Sequence, residues 1–124
     1  MTVKDSIANA RFGEPRQNAD GSTTFEFKFA ANDPVFAGHF PGHPILPGVF
    51  QLEMVRDAAE SVLNCRLGIR EIRKSKFQRP ILPEEVTRVE LKLTEKEGTI
   101  EARAGFSVGG QPAGETAMLL WRNV

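Results

Sequence analysis

The sequence predicts a single α+β domain in which a curved antiparallel sheet of five or six strands wraps around one long helix. Two patterns support this prediction. Apolar side chains recur at helical spacing over residues 47–64, and the segments outside this stretch alternate apolar and polar side chains with the period of a strand. With 124 residues, the chain has room for one domain, which we place at residues 1–124.

The N-terminal segment predicts a β-hairpin. Residues 18–21 read Asn-Ala-Asp-Gly, which is typical of a turn. Phe25, Phe27 and Phe29 then occupy every second position. Because side chains in a strand alternate between two faces, the three rings should share one face and pack into the core.

A proline-rich loop is predicted at residues 32–47. Four prolines and two glycines in this stretch prevent a helix and interrupt sheet pairing. Both histidines of the chain, His39 and His43, lie in this loop. Loops held in one shape often carry functional residues, so this segment is the first candidate for a site.

The long helix is predicted from Pro47 to about Asn64. Its apolar side chains cover roughly 220° of the helix circumference, so the helix should be surrounded on most sides. Pro47 suits the start of a helix, but no Ser, Thr or Asp stands directly before it as a cap. The first backbone amides, at Gly48 and its neighbours, are therefore available to another partner.

The rest of the chain predicts an antiparallel meander. Strands are expected at residues 69–77, 88–93, 100–108 and 115–122. Glu97-Gly98 and Gly109-Gly110 mark two of the turns between them.

Composition excludes several classes of function. The 16 basic and 16 acidic residues balance, which argues against nucleic acid as a partner. No apolar run is long enough for a membrane span, and the N-terminus lacks the apolar stretch of a secretory signal, so we expect a cytoplasmic protein. Cys65 is the single cysteine and should be a packing residue. No cofactor is expected, and no metal, because prolines exclude helical ligand geometry for the two histidines and a third ligand is not evident.

One motif is informative about function. Residues 38–53 read Gly-His-Phe-Pro-Gly-His-Pro-Ile-Leu-Pro-Gly-Val-Phe-Gln-Leu-Glu. This stretch resembles the signature of the 3-hydroxyacyl-[acyl-carrier-protein] dehydratases, a hot-dog family, in its His-Phe-Pro-Gly loop, its Pro-Gly at the helix start and its carboxylate fourteen residues after the histidine. Residues 32–36 and 76–83 also agree. The glutamate at position 53 is similar to the dehydratase branch rather than the dehydratase-isomerase branch.

The resemblance implies a hot-dog fold and a hydro-lyase acting on a 3-hydroxyacyl thioester. The substrate would be carried on the phosphopantetheine of an acyl carrier protein. His39 would be the base, Glu53 the carboxylate, and the Gly48 N–H the donor to the thioester oxygen. Substrate binding near Gly48 would also involve Phe40, Pro47 and Val49. A homodimer is implied too, each site taking its histidine from one chain and its carboxylate from the other.

The chemistry of these residue types agrees with those roles. Histidine has an ordinary pKa of about 6.5, close to working pH, and suits removal of the C2 proton. A carboxyl group can protonate the departing hydroxyl, and helix N-terminal amides are aimed at developing negative charge. Taken alone, however, His39 could be a packing residue and Glu53 a solvated one. Arg56 lies one turn after Glu53 and could hold it ionised.

Two alternative functions stay open. Hot-dog acyl-thioester hydrolases also place a carboxylate on the central helix, and a non-catalytic acyl-thioester-binding protein would tolerate the neighbouring Arg56.

A basic segment also has two interpretations. The range from Arg66 to Arg79 holds six basic residues and one acidic residue. It is either a solvated strand face, balanced by the acidic residues after Pro83, or a docking surface for an acidic carrier protein.

Overall fold

The computed structural model describes residues 2–37, 42 and 44–123. In chain order, the elements are α1 (Val3–Ala10), β1 (Arg16–Gln17), β2 (Thr23–Lys28), a 3-10 turn (Pro34–Phe36), α2 (Gly48–Leu63), β3 (Leu67–Phe77), β4 (Val86–Lys96), β5 (Thr99–Val108) and β6 (Gln111–Arg122).

The strands form one antiparallel sheet in the order β1-β2-β4-β5-β6-β3. One face of the sheet packs against α2, and the core lies between them. Phe25, Phe27 and Phe29 are all buried in this core, as their alternation predicts. The α+β prediction of an antiparallel sheet of five or six strands and one long helix is therefore confirmed, with six strands observed.

The helix α1 is the element that the sequence patterns do not predict. Its first turn is closed by a capping box, in which Asp5 N–H donates to the Thr2 hydroxyl and Thr2 N–H donates to the Asp5 carboxylate. Ile7 and Ala10 on its inner face are buried in the core. Tertiary packing thus stabilises a helix that is too short to be predicted from the periodicity of its apolar residues.

The outer face of α2 is left open within the chain. Met54, Val55 and Ala58 are fully buried against the sheet, but Val49 on the opposite side is 57% exposed. The prediction that the helix is surrounded on most sides is therefore met only in part by its own chain.

Strand β3 forms one edge of the sheet. It pairs with β6 on one side, through two register shifts, and has no strand partner on its other side in the described residues. Ile72, in the middle of this eleven-residue strand, is 45% exposed.

No helix in the described ranges is long and apolar enough to cross a bilayer.

Candidate active site

A groove of about 310 Å³ lies at the N-terminus of α2, between the helix start and the end of β3. Its walls come from the segment that enters the helix and the segment that leaves β3, and they consist of Ile45, Leu46, Pro47, Gly48, Gln51, Phe77, Gln78, Arg79 and Pro80. The groove therefore contains two of the predicted site residues, Pro47 and Gly48.

The entry to α2 is fixed by a backbone contact. Leu46 is buried, and its N–H donates to the carbonyl of Ile81 at 2.8 Å. Pro47 follows in an extended conformation and provides no side-chain cap. The Gly48 N–H has no acceptor within the part of the chain that the structure describes. The predicted uncapped start of the helix is confirmed, and this amide can donate to a ligand.

Phe77 covers the same glycine. A Cβ at Gly48 would lie 2.7 Å from Phe77 Cε2 and 2.8 Å from Phe77 Cζ, closer than carbon atoms approach in proteins. The ring itself is 49% exposed. A larger residue at this position therefore requires the ring to move aside. The sequence assigned no role to Phe77, although its place in residues 76–83 of the recognised motif was a signal.

Glu53 lies outside this groove, toward the open side of α2 that carries Val49. Its carboxylate accepts a hydrogen bond from the Arg56 guanidinium, and the two side chains are only 22% and 31% exposed. The predicted pairing of Glu53 with Arg56 is thus present. The structure brings Pro47 and Gly48 together but does not bring Glu53 into the same groove.

Two of the predicted site residues, His39 and Phe40, lie outside the described residues, and so does His43. Their roles stay predictions. The turn before them is well held, because Asp33 accepts hydrogen bonds from Val35 N–H at 2.9 Å and from the Ser6 hydroxyl at 3.0 Å. The hydrogen bond from Ser6 connects α1 to the segment that precedes the predicted histidine loop.

A second ion pair near Glu53 was not predicted. Arg11 donates to both carboxylate oxygens of Asp57, at 2.9 Å and 2.8 Å. The Asp57 side chain is 14% exposed, and its hydrogen bonds raise the pKa of Arg11 above the ordinary value. The two residues are 46 positions apart, so no local pattern in the sequence could pair them.

The basic segment is partly neutralised within the chain. Arg73 pairs with Glu71, Lys74 with Glu115, and Arg79 with Glu85, while Arg70 contacts Thr99 and the Trp121 ring. The predicted neutralisation of basic side chains by acidic residues after Pro83 is therefore present at Arg79, through Glu85. Lys76 and Arg66 remain exposed.

No group of three potential metal ligands occurs in the described ranges, which do not include the two histidines. Cys65 is a free thiol that packs, partly buried, against the core. The structure thus agrees with a packing role for this cysteine.

Comparison with known proteins identifies the family. Residues 15–112 match the ApeI-like family, described as ApeI dehydratase. The chain belongs to the ApeI-like dehydratase family. It is 34% identical over 98 residues to a 3-hydroxyacyl-[acyl-carrier-protein] dehydratase FabZ of Pelotomaculum thermopropionicum, an alignment that covers 73% of this chain and 70% of the relative. The predicted resemblance to hydroxyacyl dehydratases is confirmed.

Solved structures confirm the hot-dog fold. The dehydratase heterocomplex ApeI:P of Xenorhabdus doucetiae contains a chain that superposes with a TM-score of 0.76 at 26% identity, covering 88% of this chain and 95% of that one. A hypothetical thioesterase of Streptococcus pneumoniae, solved with coenzyme A, superposes with a TM-score of 0.68 at 10% identity, covering 89% and 87%. The second likeness shows the shared fold alone.

Proposed function

We propose that this member of the dehydratase family removes water from a (3R)-hydroxyacyl thioester carried by an acyl carrier protein and forms the trans-2-enoyl thioester, in fatty-acid or polyketide-type biosynthesis. The observation that carries the proposal is the groove at the uncapped start of α2, where the Gly48 N–H is available beside an apolar wall. A thioester oxygen that gains negative charge needs such a donor.

The proposed reaction has three protein groups. His39 takes the proton from C2, and the electron pair of that bond forms the C2–C3 double bond. The C3–O bond breaks as Glu53 gives a proton to the hydroxyl, which leaves as water. The Gly48 amide stabilises the charge on the thioester oxygen during the transfer. Phe40 and Val49 complete the substrate-binding surface in this proposal.

A second copy of the chain completes the proposed site. Glu53 and the exposed Val49 lie on the open side of α2, so a histidine from another chain can reach this side. The edge of β3 that has no strand partner in the described residues offers the contact, because a row of unpaired backbone N–H and C=O groups is a template for pairing with another chain. An antiparallel pair centred on Ile72 would place Glu71 of one copy opposite Arg73 of the other, a favourable charge pair.

This homodimer can be tested by cross-linking. Residues directly opposite each other on antiparallel strands have Cα atoms about 4.5–5.5 Å apart, a separation that a disulfide spans. In a Cys65→Ser background, Ile72→Cys should therefore form a covalent dimer under mild oxidation. Ser75→Cys, three residues away on the same strand, is the matched control and should remain uncross-linked. Equal cross-linking of both variants, or of neither, would contradict this pairing.

The carrier protein is proposed to dock near the exposed basic side chains beside β3. Lys76 lies one residue before Phe77, at the groove, and is exposed. Charges at the rim of an interface mainly speed the encounter and are screened by salt. We expect Lys76→Glu to raise the KM for the carrier-protein substrate several-fold at low salt and to leave the KM for a coenzyme A substrate nearly unchanged.

A non-catalytic acyl-binding function is the second candidate. The ion pair with Arg56 favours it, because the Glu53 carboxylate is already engaged. One experiment separates the candidates: incubation with 3-hydroxyacyl thioesters of several lengths on carrier protein and on coenzyme A. New enoyl absorbance supports dehydration, release of free thiol supports hydrolysis, and binding without either product supports the second candidate.

Single variants test the assigned groups. We expect His39→Ala to abolish enoyl formation without loss of the fold, whereas His43→Ala, the other histidine of the loop, retains activity. Glu53→Gln should be severely impaired because it removes the acidic proton. Full activity of His39→Ala would refute the assignment of the base.

A further inference from the structure

Gln51 is a polar residue on the face of α2 that packs into the core. It is 3% exposed, and Met54, Val55 and Ala58 on the same face are fully buried. Its side-chain oxygen has no hydrogen-bond partner among the described residues. Buried polar atoms in folded proteins almost always have a partner, so this oxygen requires an explanation.

Gln51 also lines the groove at the start of α2. It follows Gly48 by three residues, about 4.5 Å along the helix axis, and both residues belong to the groove wall. Because helical side chains lean toward the N-terminus, Gln51 reaches back in the direction of the Gly48 amide. Its oxygen lies beside Gly114, where an added Cβ would be 3.3 Å from it. The last torsion of a glutamine side chain is broad, so the oxygen can turn toward a donor in the groove at small cost.

The groove itself gives this oxygen little to bind. Most of the wall around it is apolar and consists of Ile45, Leu46, Pro47, Phe77 and Pro80. The charged side chain on the wall, Arg79, already donates to Glu85. A buried water makes about three hydrogen bonds, and apolar walls offer it few partners besides Gln51. A bound molecule is therefore the source of a donor that fits best.

The two sides of α2 would bind different halves of an acyl thioester. Gln51 faces the core, whereas Glu53 lies on the open side of the helix. With the thioester oxygen at the Gly48 N–H, the acyl chain and its C3 hydroxyl extend toward the open side, and the sulfur side enters the groove. The first hydrogen-bond donor on the sulfur side is the amide N–H of the pantetheine arm, two carbons beyond the sulfur.

We propose that Gln51 binds the pantetheine arm by accepting a hydrogen bond from this amide N–H. The inference rests on the proposed function for the position of the thioester, and it gives Gln51 no contact with the acyl half. The apolar walls suit the methylene groups of the arm. Lys76, where the carrier protein is proposed to dock, is exposed beside Phe77 at the same groove. An arm without the N–H leaves the buried acceptor unpaired and binds more weakly.

The test compares two small thioesters of hexanoic acid that differ in one group. The S-(2-acetamidoethyl) thioester carries the amide N–H, and the S-(2-acetoxyethyl) thioester has an ester oxygen in its place. Neither contains a C3 hydroxyl, so dehydration consumes neither. We expect the ratio of the two affinities to shift about tenfold against the amide in Gln51→Met, which keeps the unbranched shape and removes the acceptor. Gln111→Met, at an exposed glutamine that begins β6, is the matched control and should keep the parent's ratio.

An unchanged ratio in Gln51→Met, or a parent that binds neither thioester, would overturn the inference. Thermal unfolding is an independent readout: because the substitution removes an unpaired buried polar group, Gln51→Met should unfold at or above the temperature of the parent. If Gln51→Met and Gln51→Leu both unfold at clearly lower temperatures, the amide has a partner within the fold and the inference is wrong. Failure of the proposed function is distinct, because a 3-hydroxyacyl thioester would then give no enoyl product while the preference for the amide persists.

Discussion

The substitution Gly48→Ala should separate activity from stability. The added Cβ would lie 2.7 Å from Phe77 Cε2 and 2.8 Å from Phe77 Cζ. Carbon atoms in contact normally lie about 3.5–4.0 Å apart, so the ring must retreat by roughly 1 Å. Since Phe77 is half exposed, it can move without opening the core. Alanine also favours the helix by up to about 1 kcal/mol, so the free energy of unfolding should change by no more than about 1 kcal/mol.

Activity should change much more. The new methyl group lies beside the Gly48 N–H, where the thioester oxygen has to approach. Loss of one such donor costs about 10²–10³-fold in rate, so we expect kcat/KM for enoyl formation to fall by about 100-fold or more. Enoyl absorbance measures the rate, and chemical denaturation measures stability.

Gly105→Ala is the matched control. Gly105 lies in β5, and a Cβ there would meet no atom within 4 Å. This variant should keep both activity and stability. Near wild-type activity of Gly48→Ala would show that the groove is not the reaction site, and an equal loss in Gly105→Ala would show that the effect is unspecific.

Three further predictions concern the ion pairs. Arg56→Gln should raise the rate of enoyl formation several-fold, because it releases the Glu53 carboxylate to the substrate; a lower rate would mean that Arg56 positions Glu53 instead. Asp57→Asn should lower the free energy of unfolding by about 1 kcal/mol, because it weakens the two hydrogen bonds from Arg11, and should have little further effect in an Arg11→Met chain. Lys74 lies 2.6 Å from Glu115, and its hydrogen bond lowers the pKa of that carboxyl. The pair therefore stabilises the fold above the ordinary carboxyl pKa of about 4.3, and this contribution is lost as pH falls through the lowered value. Denaturation curves of wild type and Lys74→Met should converge in acid, and a difference that persists there would contradict the role of the pair.

Local patterns were sufficient for most of the fold. Alternation placed Phe25, Phe27 and Phe29 in the core, and helical spacing placed α2 within one residue of its observed ends. The spatial order of the strands could not be predicted from local patterns, because β3 pairs with β6, the last strand of the chain. That pairing is set by long-range packing, and it is what leaves β3 at the sheet edge.

The same distinction between local and long-range features applies to the candidate site. The local sequence predicted the uncapped start of α2, the availability of the Gly48 amide and the proximity of Glu53 and Arg56, because these features depend on residues close in the chain. The sequence assigned no role to Gln51, since periodicity records which face a residue occupies and not whether its polar atoms have partners. The contact between Gly48 and Phe77 joins residues far apart in the chain and needed the structure.

The central claim is a dehydration site shared by two chains, and a mixture of two inactive variants tests it most directly. His39→Ala and Glu53→Gln are each expected to be inactive as homodimers. If each site takes its histidine from one chain and its carboxylate from the other, a mixed dimer contains one intact site and one doubly defective site. Equal mixing and exchange of subunits should then restore enoyl formation to about a quarter of the wild-type rate. A mixture that remains as inactive as its two components, with exchange demonstrated, would contradict the shared site.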